Sequence, residues 1–191
     1  TGCAGFIGFH LTQKLIDLHP WANMARYTRT SGEACSVAVR IARAYSKKDT
    51  IAFCGYHGWH DWYLSTNIKN SGLDKHLISG LSTIGVPSVL EGTIYPFSYN
   101  KIDELEKILL EQSVGCIIME PMRSEFPKDN FLQKVRTLAT QHKCVLIFDE
   151  VTSGFRMTNG GLHKYFDINP DMVVFGKAVS NGFPMGIVLG K

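Results

Sequence analysis

Two residues near the end of this 191-residue chain combine in a way that could do chemistry: Asp149 and Lys177, 28 positions apart. Each follows a short apolar run. Val145–Phe148 leads into Asp149, and Met172–Phe175 leads, after the single residue Gly176, into Lys177. Runs of this length and β-branched content predict buried parallel strands. In an open α/β sheet the carboxyl ends of such strands line the ligand crevice, so a carboxylate and an amine are expected to meet in one cleft. The pair has two readings at this point, a structural ion pair at the sheet edge or a functional acid and amine.

An acid and a lysine at neighbouring strand ends suit pyridoxal phosphate. That cofactor needs a lysine to hold its aldehyde as a Schiff base and a carboxylate to keep its ring nitrogen protonated, so that the charged ring can stabilise a carbanion on a substrate. The segments FDEVTSGFR (148–156) and DMVVFGKAVSNGFPMG (171–186) resemble the class III (fold-type I) pyridoxal-phosphate aminotransferases, including the glutamate-1-semialdehyde aminomutases. The resemblance implies that Asp149 is the partner of the pyridinium nitrogen, that Val151 packs on one face of the ring and that Lys177 is the Schiff-base lysine.

The elements needed to position this pair lie upstream. MARYTRTSGEACSVAVRIARAY (24–45) predicts a strand over Ala25–Thr28, a tight turn, and a helix that buries Ala34, Ala38, Ile41, Ala42 and Tyr45. Ser31 and Gly32 fall at the helix N-terminus, where unpaired N–H groups and the helix dipole favour a phosphate. Ser31 is equally a plain N-cap, and one role does not exclude the other. The family commonly shows S-G-T-E-A or G-G-E-A here. The sequence SGEA (31–34) is a modest departure that bears on the side-chain contact more than on the backbone one.

Next, Thr50–Cys54 predicts a buried strand with a turn at Gly55. By the resemblance Tyr56 is the aromatic that stacks on the cofactor ring, and His57 and Gly58 complete its motif. Such stacking contributes about 0.5–1.5 kcal/mol beyond area burial. His57, His60 and Asp61 have a spacing that suggests a metal, but no further ligand pair lies nearby and no metal site is expected. Trp59, Trp62 and Tyr63 are expected at a substrate mouth or a subunit contact. Residues 67–92 predict a long loop near the site.

Thr93–Phe97 predicts a strand, and Ile102, Leu105, Ile108 and Leu109 form the apolar stripe of a helix, with Asp103 and Glu104 in its first turn. Gly115–Met119 predicts another strand, ending at Glu120. The family carries Glu-Pro here, close to cofactor and substrate; a solvent-facing carboxylate is the other reading of Glu120. A helix over about 130–141 turns Phe131, Leu132, Val135, Leu138 and Ala139 inward, and Gly186–Leu189 predicts a last strand, antiparallel in the family.

Residues 1–19 read differently. Gly2, Gly5 and Gly8 form a T-G-x-x-G-x-x-G pattern resembling the extended short-chain dehydrogenases and nucleotide-sugar epimerases, followed by a helical stripe at Ile7, Leu11, Leu15 and Leu18. In that family the glycines let a helix approach a dinucleotide. The strand that must precede the pattern and the acidic residue that must follow a second strand are missing here. Residues 1–20 are therefore expected to be a foreign remnant forming a surface helix, with an NAD(P)-binding epimerase or dehydrogenase fragment as the alternative function.

A net charge of +3 is too mild to argue for nucleic acid, and the apolar runs fall short of the ~18 residues a membrane span needs. The scattered cysteines Cys3, Cys35, Cys54, Cys116 and Cys144 predict reduced core thiols and a cytoplasmic protein. The expected architecture is α/β. Residues 21–191 form a mostly parallel seven-stranded sheet with helices on both faces, the large domain of the fold-type I enzymes, and the small C-terminal domain is absent. The expected activity is transfer of an amino group between a small-molecule amine donor and a carbonyl acceptor. The resemblance implies a homodimer for the whole enzyme, and a fragment cut at both ends is expected to bind the cofactor weakly and turn over poorly.

Overall fold

The structure, a computed structural model, describes residues 5–69 and 80–191. Its elements in chain order are α1 (Phe6–Leu18), β1 (Met24–Thr28), α2 (Ser31–Ser46), β2 (Thr50–Cys54), α3 (Asp61–Leu64), β3 (Ile94–Pro96), α4 (Ile102–Glu111), β4 (Val114–Met119), α5 (Phe131–Gln141), β5 (Val145–Asp149), α6 (Leu162–Tyr165), β6 (Met172–Phe175) and β7 (Gly186–Gly190). The strands form one seven-stranded sheet in the order β1-β7-β6-β5-β4-β2-β3. β7 runs antiparallel to both its neighbours, while β6, β5, β4, β2 and β3 pair in parallel.

Strand alternation divides the core into two layers, because successive side chains leave a strand on opposite faces. Ile51, Phe53, Cys116, Ile118, Ile147 and Val174 pack with Ala34, Cys35, Ala38, Val39 and Ala42 of α2 on one face. Ala52, Cys54, Ile117, Met119, Leu146, Phe148, Val173 and Phe175 pack on the other with Leu105, Leu109, Phe131, Leu132 and Val135 of α4 and α5. The central strands β4, β5 and β6 are buried along their whole length, which is why their sequences read as continuous apolar runs rather than alternating ones.

The buried face of α2 is rotated from the expected one. Cys35 and Val39 are inside, whereas Ile41 and Tyr45 are 45% and 83% exposed. Alanine and cysteine let this helix lie close to the sheet, and the two bulky residues overhang its lower edge. Trp62 and Tyr63 also depart from expectation. They lie in the core, with Trp62 Nε1 donating to Ser36 Oγ at 3.0 Å and the Tyr63 hydroxyl donating to the Gly55 carbonyl at 2.8 Å. Trp59 stays open to solvent. Part of the expected 67–92 loop, residues 70–79, lies outside the described residues, and the remainder includes a 3-10 turn at Ser88–Leu90.

Gly5 precedes α1, whereas Gly2 and Cys3 lie outside the described residues. The helix is docked. Leu15 joins the core layer beneath α4 and α5, Thr12 Oγ1 meets the Tyr27 hydroxyl at 3.0 Å, and the buried His19 ring sits 2.7 Å from the Gly160 carbonyl. No helix among the described residues is long and apolar enough to cross a membrane.

Candidate active site

The parallel strands deliver their carboxyl ends to one edge of the sheet, and the amino end of α2 reaches that edge from the side. Thr30 caps α2 reciprocally with Glu33: the Glu33 N–H donates to Thr30 Oγ1 at 3.2 Å, and the Thr30 N–H donates to Glu33 Oε2 at 2.8 Å. Ser31 is thus the first helical residue, and Thr30 is the cap. The N–H groups of Ser31 and Gly32 have no intrahelical acceptor and stay available at the positive end of the helix dipole.

Gly176 explains how close this helix end comes to β6. A Cβ at that position would stand 2.0 Å from Ser31 Oγ and 3.2 Å from Ser31 Cβ, so only glycine permits the approach. Directly after it, Lys177 takes a left-handed backbone (φ 47°), a conformation that costs an L-residue roughly 1–2 kcal/mol. Strain of this kind persists where the surrounding structure fixes it, and it gathers at functional sites. Lys177 Nζ donates to Thr152 Oγ1 at 2.9 Å.

Asp149, 4% exposed, forms the buried wall. Its carboxylate accepts from His57 Nδ1 at 2.8 Å, from the Cys35 thiol at 3.4 Å and from the Val151 N–H at 3.0 Å. A carboxylate can only accept, so the proton of the His57 contact sits on Nδ1. The ring of His57 is held by Trp62, stacked on it at 6.4 Å, and by the edges of Phe53 and Tyr63. His57, expected to complete the aromatic motif, therefore acts on Asp149. His60 packs instead beside Gly32, with Nε2 3.0 Å from where a Cβ would stand.

Glu120 is buried, not solvent-facing, and its Oε2 accepts from the Tyr56 N–H at 3.1 Å and from Arg123 Nη1 at 3.3 Å. Burial, then the nearby charge of Asp149, raises its pKa above the ordinary carboxylate range. Gly55 lets this happen: with φ 110°, a Cβ there would lie 2.6 Å from Glu120 Oε2. Glu120 thus pins the turn that presents the half-buried Tyr56.

Ser31, Gly32, Tyr56, His57, Glu120, Asp149, Val151 and Lys177 all line one cavity of about 380 Å³, together with Cys35, Trp59 and Thr152. The structure brings these eight sequence-predicted residues to one cavity, whereas Trp62 and Tyr63, expected at its mouth, lie in the core. Cys35 and Thr152 were not expected. Cys35 follows Ser31 by one helical turn and Thr152 follows Val151 directly, and that adjacency was the available signal. A larger cavity, about 670 Å³, lies at the opposite edge among Tyr45, Arg136, Val145, Asp171, Met172 and Lys191. It sits at the amino ends of β5 and β6, away from the carboxyl-end crevice where open α/β sheets bind ligands, and Arg136 and Lys191 both pair with its Asp171.

The Aminotransferase class-III family matches residues 8–191 of the chain. This protein belongs to that family. The match begins inside α1, before the boundary at residue 21 expected from the motifs, and so takes in most of the helix set apart by its glycine pattern. A 3-aminobutyryl-CoA aminotransferase of Cloacimonas acidaminovorans is 39% identical over 95% of this chain and 42% of its own length. A glutamate-1-semialdehyde 2,1-aminomutase of Methanothrix thermoacetophila is 36% identical, over 95% and 43%. Among solved structures, an omega-transaminase from Sphaerobacter thermophilus superposes with a TM-score of 0.82 at 27% identity over 96% of this chain and 44% of its own. A transaminase with PLP bound gives 0.85 at 25% identity, over 100% and 46%. The seven-stranded architecture of this class-III chain is that of these transaminases, and the chain spans less than half the length of the relatives it matches.

Proposed function

We propose that this chain carries the cofactor site of a pyridoxal-phosphate enzyme that moves an amino group from an amine donor to a carbonyl acceptor. The supporting observation is the convergence of the Lys177 amine, the Asp149 carboxylate and the α2 N-terminus on one cavity. Those donors fit the cofactor's chemistry. The gap kept open by Gly176 leaves Ser31 Oγ and the Ser31 and Gly32 N–H groups free for a phosphate, and the buried carboxylate suits a ring N–H.

When bound, pyridoxal phosphate supplies the electron sink for a carbanion on the substrate's α-carbon. Lys177 would hold the aldehyde, and its Nζ is the group that would take and return the α-carbon proton. Thr152 Oγ1 accepts from that amine and keeps it at the cavity wall. Asp149, braced by His57, would accept from the ring nitrogen. Tyr56 and Val151, both lining the cavity, would flank the ring. α1, docked through Leu15 and His19, belongs to the same folded unit. Exposed Trp59 at the cavity rim offers a surface for substrate or for a second subunit of the whole protein.

The test is covalent capture. Purified chain incubated with pyridoxal phosphate, reduced with borohydride and digested should carry the label on Lys177. A label on another lysine, or none in the chain or in its full-length form, refutes the reading. Product analysis with a single substrate and with donor–acceptor pairs then separates an aminomutase from an aminotransferase.

A further inference from the structure

We propose that Cys35 is a positioning residue whose thiol orients the Asp149 carboxylate, leaving one open acceptor position, on Oδ1, for the cofactor ring. The inference rests on the cofactor reading above. A carboxylate offers about four acceptor positions, two on each oxygen. Oδ2 receives two donors, His57 Nδ1 at 2.8 Å and the Cys35 thiol at 3.4 Å. Oδ1 receives one, the Val151 N–H at 3.0 Å. The remaining position is therefore on Oδ1, and Asp149 lines the cavity.

The three donors come from three separate parts of the chain: α2, the turn after β2, and the turn after β5. Together they leave the carboxylate no freedom to rotate. Without the thiol, Oδ2 keeps an unfilled position at the buried end of the cavity, where Cys35 is only 1% exposed. A buried acceptor left unmade is costly, and turning the carboxylate to fill it would withdraw Oδ1 from the cavity. Cys35 also differs from the other described cysteines. Cys144 donates to the Val114 carbonyl, and Cys54 and Cys116 lie within apolar strands; only Cys35 meets a carboxylate. Burial, reinforced by the charge of Asp149, pushes its pKa well up, so it keeps the proton it donates.

The experiment compares the wild-type chain with Cys35→Ala and Cys35→Ser, each checked for folding by circular dichroism. The first readout needs no cofactor. The S–H stretching band of Cys35, assigned by difference against Cys35→Ala, or against Cys35→Ser if the alanine variant does not fold, should lie below that of Cys116, assigned through Cys116→Ala. Coincident bands overturn the proposal. The second readout is pyridoxal phosphate titration followed by absorbance. Cys35→Ala should bind about fivefold more weakly, the factor that corresponds to one ordinary hydrogen bond. Cys35→Ser, which keeps a donor, should stay within about twofold of wild type. The pH dependence of the lysine-linked cofactor's visible band should shift in the alanine variant and return in the serine variant. If the wild type binds and both variants match it, or both weaken equally, Cys35 has no orienting role while the cofactor site stands. If the wild type forms no lysine-linked cofactor, the cofactor reading falls and the proposal with it.

Discussion

Glu150 gives the sharpest test of how the site is held. It is fully buried beside Asp149, yet it faces away from the cavity. Its Oε1 accepts from the His163 N–H at 2.8 Å and from His163 Nδ1 at 2.6 Å, and its Oε2 accepts from the Leu162 N–H at 2.5 Å and from Ser153 Oγ at 3.1 Å. One carboxylate thereby caps α6, a helix with no side-chain N-cap of its own, and ties down the loop that begins with Val151 and Thr152. Glu150→Ala orphans two backbone N–H groups and a ring N–H in a dry interior. At about 1–3 kcal/mol for each buried donor left unmade the cost is at least about 3 kcal/mol. Loss of one partner from a buried pair sets a similar scale, about 3–5 kcal/mol. Glu150→Gln keeps one accepting oxygen, able to serve two donors, and turns an amide toward the third. Its cost is about 1–3 kcal/mol.

Urea unfolding should therefore order the proteins wild type, Gln, Ala, with the two variants separated by about 2 kcal/mol. Amide exchange should show the Leu162 and His163 N–H groups losing protection first. Pyridoxal phosphate affinity should fall with them, because Val151 and Thr152 lie on the released loop. An alanine variant within about 1 kcal/mol of wild type would refute the capping argument, since a buried acceptor serving three buried donors cannot be lost so cheaply.

Four further outcomes follow from the same geometry. Gly176→Ala should displace the Ser31 side chain and destabilise by about 1–3 kcal/mol through overpacking, with weakened cofactor binding in titration; unchanged affinity would separate Ser31 from the phosphate. Lys177→Gly should abolish covalent capture while raising stability by about 1 kcal/mol, because glycine accepts φ 47° without strain; a loss of stability would show that the left-handed turn carries no strain. Glu120 has a folded pKa raised by burial, so above its unfolded value near 4.5 the unfolded chain gives up its proton first and stability falls as pH rises through the folded pKa. Against Glu120→Gln, the wild type should lose relative stability from about pH 4.5 upward in denaturation curves taken at several pH values, and parallel curves would contradict the burial argument. Leu15→Ala should cost about 2–5 kcal/mol in the single unfolding transition of the whole domain, whereas a separate, unaffected transition would show α1 to be independent.

Sequence alone determined the strands and the polar residues that close them at the candidate site. Buried parallel strands are continuous apolar runs, and the chemistry of an α/β protein stands where such runs stop, so Asp149, Glu120 and Lys177 are visible as polar residues closing them. Ser31 and Gly32 are visible because a helix start has its own signature. The helical stripe could not fix the rotation of α2. Alanine and cysteine carry little hydrophobic weight in a pattern, yet their small size is what lets the helix settle on the sheet with Ile41 and Tyr45 outside. The tertiary structure alone decided which polar groups meet. Cys35 reaches Asp149 across 114 positions, His57 reaches it across 92, and Glu150 turns back onto α6 while its neighbour faces the cavity. Hydrogen bonds of that kind depend on ångström-scale approach between elements, which only the packing of helix on sheet sets.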